Sequence, residues 1–114
     1  MITQTVAILL AMAATAGDPM EDSRKAFNNC LLTAHNDSVK AKMPLLEFRK
    51  LAETTCAAEK TAYHNIIVRS EREYGSSTSE ATTYADEEVQ MIIAGVKSFY
   101  VENLDIGGTM SLEK

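Results

Sequence analysis

Apolar residues recur at helical spacing along most of this chain. At about 100° per residue, Met20, Phe27, Cys30, Leu31, Ala34 and Ala41 gather on one face. A second face collects Leu45, Phe48, Leu51, Ala52, Cys56, Ala62, Tyr63, Ile66, Ile67 and Tyr74. A third, about 140° wide, holds Ala85, Val89, Ile92, Ile93, Val96, Phe99, Tyr100 and Leu104, broad enough to meet two neighbours or a second copy of the chain. There is no strand-like alternation and no internal repeat. The pattern predicts an all-α fold: an antiparallel helical hairpin plus a third amphipathic helix, forming a three-helix bundle.

Local signals set the expected boundaries. Asp18-Pro19-Met20-Glu21 is a helix start, with Asp18 as cap, Pro19 at the first position and Glu21 at the capping-box position. Helix one ends between Asp37 and Lys42. Pro44 forces Met43 out of helical geometry and opens helix two, which meets no Gly or Pro before Gly75 and would be roughly 46 Å long. Gly75 to Ser79 is a polar breaker, and Ser77 with Glu80 is a second capping box that starts helix three. From Asp105 onward periodicity stops and Gly107-Gly108 appears, predicting a flexible C-terminal tail over 105–114 after a helical domain over 17–104.

Residues 1–16 are of a different kind. They carry no charged side chain, and the apolar block Val6 to Ala14 is followed by Ala14-Thr15-Ala16, the small-x-small pattern of a secretory signal peptide cut before Gly17. An apolar N-terminal helix packed on the domain is the competing interpretation. The block is far short of the roughly 20 residues of a membrane span, so no stable span remains after cleavage.

With 114 residues the chain holds one domain, and a net charge of −5 without any Lys/Arg run argues against nucleic acid or an anionic membrane as main partner. The two cysteines carry a sharper inference. Cys30 and Cys56 are equidistant from position 43, the turn of the expected hairpin, and both lie on faces that the hairpin buries. In an exported chain they should form a disulfide that stabilises the fold by about 3.5 kcal/mol. The competing states are free buried thiols and, without Cys-x-x-Cys, the less favoured redox catalysis.

Other candidate chemistry is thin. His35 and His64 stand about 20 Å out of level and off the apolar faces, so both are expected at the surface rather than on a metal or haem. Met20, Met43, Met91 and Met110 are too scattered for a copper site, and no phosphate loop, nucleophile elbow or His-Glu-x-x-His occurs. The sequence thus assigns no catalytic residue, cofactor or metal. Glu59 breaks its apolar face, and Arg24 is the partner expected for a buried Glu59–Arg24 ion pair, with a rim position or a ligand-binding role as alternatives. Gly95, inside helix three, is either tolerated or marks a close approach by another helix.

The layout of a signal segment, Phe27-x-x-Cys30-Leu31, Pro44 with Phe48, Cys56-Ala57-Ala58-Glu59 and a closing amphipathic helix resembles small exported bacterial helical proteins with a single disulfide. That resemblance implies bacterial export and brings no activity with it. The function expected is a non-enzymatic periplasmic or secreted protein acting as an interaction or structural module toward another protein. The alternative is a binding protein for a small apolar ligand, held among Phe48, Ile66, Ile92 and Phe99 with Glu59 as polar anchor.

Overall fold

The computed structural model describes residues 17–114; the expected signal peptide over 1–16 lies outside the described residues. Four helices follow one another among them: α1 (Pro19–Lys40), α2 (Leu45–Thr54), α3 (Ala57–Glu73) and α4 (Thr78–Leu104). The chain is therefore an all-α helical bundle, and the three-helix expectation is corrected to four. The expected starts hold, except that Glu21 turns its carboxylate to Arg24 instead of closing a capping box with Asp18. Asp18 accepts a hydrogen bond from the Met20 amide at 3.0 Å ahead of Pro19, and the Ser77–Glu80 capping box is complete in both directions.

The correction falls inside the expected helix two. It breaks at Thr55, which is extended, and at Cys56, whose φ of 61° is left-handed. No Gly or Pro marks the break. Instead Thr54 turns its hydroxyl back onto the Lys50 and Leu51 carbonyls, and the β-branched Thr54-Thr55 pair is a poor helix former. Lys60 then donates to the Glu53 carbonyl at 2.9 Å, satisfying one of the acceptors that the end of α2 leaves open. The disulfide fastens Cys56 to α1 at this same joint. Both arms still face one interior: Phe48 and Ala52 from α2, Tyr63 and Ile67 from α3.

The longest helix, α4, touches α1, α2 and α3 and forms the spine. Its buried side is Ala81, Ala85, Val89, Ile93, Val96 and Tyr100, against which Phe27, Leu31, Leu32 and Val39 of α1 pack. Tyr100 stacks on Phe48 with ring centres 3.9 Å apart, and its hydroxyl donates to the carbonyls of Ser38 and Met43. One side chain thus fills the core and closes the C-terminal end of α1. Burial pushes the Tyr100 phenol up from its ordinary range.

Residues 105–114, expected as a flexible tail, are placed folded back against α1. Gly107, at φ +68°, reverses the chain, and the Gly108 amide bonds back to the Asn103 carbonyl, so the two glycines terminate α4. The segment then runs antiparallel to α1 and hydrogen-bonds along it.

Candidate functional site

The polar side of α1 carries Arg24, Lys25, Asn28, Asn29 and Asn36, and the returning segment lies on it. Asn36 donates to the Met110 carbonyl and accepts from the Met110 amide, both at 2.8 Å. Two helical turns earlier, Asn29 donates to the Glu113 carbonyl at 2.9 Å and accepts from the Glu113 amide at 2.8 Å. The Glu113 carboxylate is taken by Arg24, at 2.6 and 3.1 Å, and by Asn28. Lys25 donates to the Lys114 carbonyl. Hydrogen bonding from the Arg24 guanidinium holds the Glu113 carboxyl below the usual carboxylate range, with Asn28 acting in the same direction. Arg24 also hydrogen-bonds Glu21 and lowers its carboxyl likewise.

This arrangement overturns the expected Glu59–Arg24 pair. Arg24 is committed to Glu21 and Glu113, and Glu59 makes no ion pair among the described residues. The cause is the break at Cys56, which turns Glu59 from a mid-helix residue into a first-turn acid of α3, where the helix dipole favours negative charge. Its half-buried carboxylate lies within 4.8 Å of both cysteine sulfurs. Those sulfurs are joined, with the Cys30 and Cys56 Cα atoms 6.0 Å apart, inside the limit that the expected bridge required, and so offer no thiolate to a metal.

The histidines divide. His64 is half-buried and bonds Asp86 at 2.7 Å, tying α3 to α4 in an open groove of about 500 Å³ that Lys60 and Gln90 also line. His35, expected at the surface, is fully buried. Its ring meets Phe48 and Tyr100 edge-on, Asn103 donates toward its Nε2 at 3.3 Å, and its Nδ1 lies 2.9 Å from the Asn36 oxygen. Since both amide ends of Asn36 are fixed by the Met110 main chain, Nδ1 donates to the Asn36 oxygen, and Nε2 is the acceptor for the Asn103 amide. The sequence pattern missed His35 because an imidazole counts as polar, whereas two flanking amides and aromatic rings satisfy it inside.

The residues expected to line an apolar cavity do not converge. Phe48 is stacked in the core, Phe99 is 38% exposed, and Ile66 borders a surface groove beside Asp18, Pro19 and Met20. On the outer side of α4, Met91 is 67% and Val101 48% exposed, with Ala94 and Ser98 also in the open. A Cβ placed on Gly95 would meet nothing within 4 Å. Among the described residues no helix is long and apolar enough to cross a membrane. Comparison with models of protein families, with curated proteins and with solved structures finds no match to this chain.

Proposed function

We propose that this chain is a non-enzymatic, exported interaction module, and that its outer α4 face pairs with a second copy. The observation that carries the proposal is the run from Val89 to Val101, in which Lys97 is the only charged residue and is tied to Glu53 at 2.7 Å. A solvent-facing helix normally carries charge on its outer side; here it presents Met91, Ala94, Ser98 and Val101. Small residues at its centre allow two helices to approach closely. In an antiparallel crossing centred on Ala94 and Gly95, Glu87 of one copy comes level with Glu102 of the other, two like charges. Arg49, which borders the groove with Ser98 and Val101, is the cation placed to offset them twice by symmetry.

Sedimentation equilibrium of the oxidised protein tests the pairing. A dimer is expected, with Met91→Asp dissociating it while helix content is unchanged. Arg49→Glu and Glu87→Arg should each weaken it and together restore it. A chain that stays monomeric up to about millimolar concentration refutes the pairing. Export is supported by the uncharged segment over 1–16 and by the resemblance to exported single-disulfide helical proteins. Intact-mass measurement on cell-envelope protein should find chains beginning at Gly17; chains retaining Met1 in a cytosolic fraction would reject export.

A further inference from the structure

We infer that the face of α1 holding the C-terminal segment is a binding site for an extended peptide of a partner protein, filled here in cis by the chain's own residues 109–114. A primary amide carries one donor pair and one acceptor in the spacing that a residue's own N–H and C=O require, so it grips main chain without reading the side chain. Asn36 does this to Met110 and Asn29 to Glu113, each in both directions. The two spacings match. Seven residues of α1 advance about 10.5 Å, and three residues of extended chain advance about 10 Å. A pair of asparagines seven apart on a helix is therefore commensurate with an extended strand, and this holds for any sequence laid in that register.

Selectivity comes from the side chains at the two gripped positions. Met110 packs against the hydrophobic core, and Glu113 is held by Arg24 and Asn28. Between them Ser111 and Leu112 are exposed and unread. The ligand is thus an extended segment with an apolar residue followed three positions later by an acid. The cis segment is suited to give way. One apolar anchor and a set of hydrogen bonds that water can replace hold it, and it joins α4 through Gly107-Gly108. The site lies on α1, so it stands whether or not α4 pairs with a second copy.

The test uses the full chain carrying Met110→Ser and Glu113→Ala, which loosens the cis segment and leaves the groove intact. The probe is a fluorescent Gly-Thr-Met-Ser-Leu-Glu-Lys peptide read by anisotropy. It should bind the loosened chain at least about tenfold more tightly than the unaltered chain, whose own segment competes at high effective concentration. Adding Asn29→Ala should cost about tenfold. Should Asn36→Ala unfold the chain through its bond to His35, charge exchange keeps the proposal open to refutation. A peptide with arginine in place of the glutamate should fail on the loosened chain and bind once Arg24→Glu is added. Absence of binding to the loosened chain, or binding indifferent to Asn29 and Arg24, overturns the site. Association of the unaltered chain that survives Met91→Asp would assign the groove to a second copy's segment instead, and overturn the partner-peptide inference.

Discussion

Replacing Cys56 separates two things that the joint between α2 and α3 does. The disulfide closes a loop with a sequence separation of 26, which in the chain-entropy model is worth about 3.5 kcal/mol at 25 °C. The backbone at Cys56 is left-handed, a conformation that costs an L-residue about 1–2 kcal/mol and glycine almost nothing. The pair Cys30→Ala/Cys56→Ala should therefore lose about 3.5 kcal/mol. Cys30→Ala/Cys56→Gly should lose less, by about 0.5–1 kcal/mol after the larger unfolded-state freedom of glycine is subtracted. This reverses the usual order, since glycine inside a helix is about 1 kcal/mol worse than alanine. Urea unfolding followed by circular dichroism at 222 nm measures both. The slope should rise relative to the oxidised protein, because an uncrosslinked unfolded chain exposes more surface, and should be the same in the two variants. If the alanine variant is the more stable, the break depends on the bond and the helix runs through once released. A total loss under about 1 kcal/mol would refute the loop-closure account.

Tyr100→Phe keeps the ring on Phe48 but strips a donor from the carbonyls of Ser38 and Met43, and should cost about 1–3 kcal/mol in the same urea assay. Gly95→Ala should stabilise the dilute chain by up to about 1 kcal/mol, because the added methyl meets open space and the helix gains a better former; a loss would show that Gly95 is needed for its backbone freedom. Glu113 has its carboxyl pKa lowered in the folded chain by hydrogen bonding to Arg24, so its contribution is present above the unfolded carboxylate range and disappears as pH falls through the folded value. Hydrogen exchange at the Met110 and Glu113 amides, corrected for intrinsic rates, should keep its protection down to the ordinary glutamate range of about pH 4.3 and lose it as the pH falls further; protection unchanged below that range would refute the link.

Helix starts and apolar faces were legible because each is written locally: Asp18-Pro19, Ser77 with Glu80, and the periodic residues that fill the core. The disulfide was legible from symmetry about the turn, which a hairpin preserves even when one arm bends. The bend at Thr55-Cys56 was not, since no breaker residue marks it and its backbone is fixed by attachment to α1. From that miss came the next. Register carried along an unbroken helix put Glu59 beside Phe27 and one turn from Arg24, whereas the bend makes it a first-turn acid. Gly107-Gly108 signalled a stop, but not that the stop was a reversal. The α1 asparagines that receive the returning segment had a legible trace in Asn29 and Asn36, seven apart and thus on one side of the helix. Polarity alone gave them no role.

The hydrogen bonds around His35 make the imidazole a native spectroscopic probe. Its Nδ1 proton points at an Asn36 oxygen that also receives the Met110 amide, so one acceptor is shared between the middle of the core and the surface segment. When the segment leaves, that oxygen loses one of two donors and the amide of Asn36 is free to turn over. Once Asn103 turns its amide as well, the ring can exchange its tautomer, and the nitrogen-15 resonances of its pyrrole-like and pyridine-like atoms move toward each other. Occupancy of the α1 groove is in this way written into the magnetic resonance of a side chain that no solvent touches, and it can be followed without attaching any label to the chain.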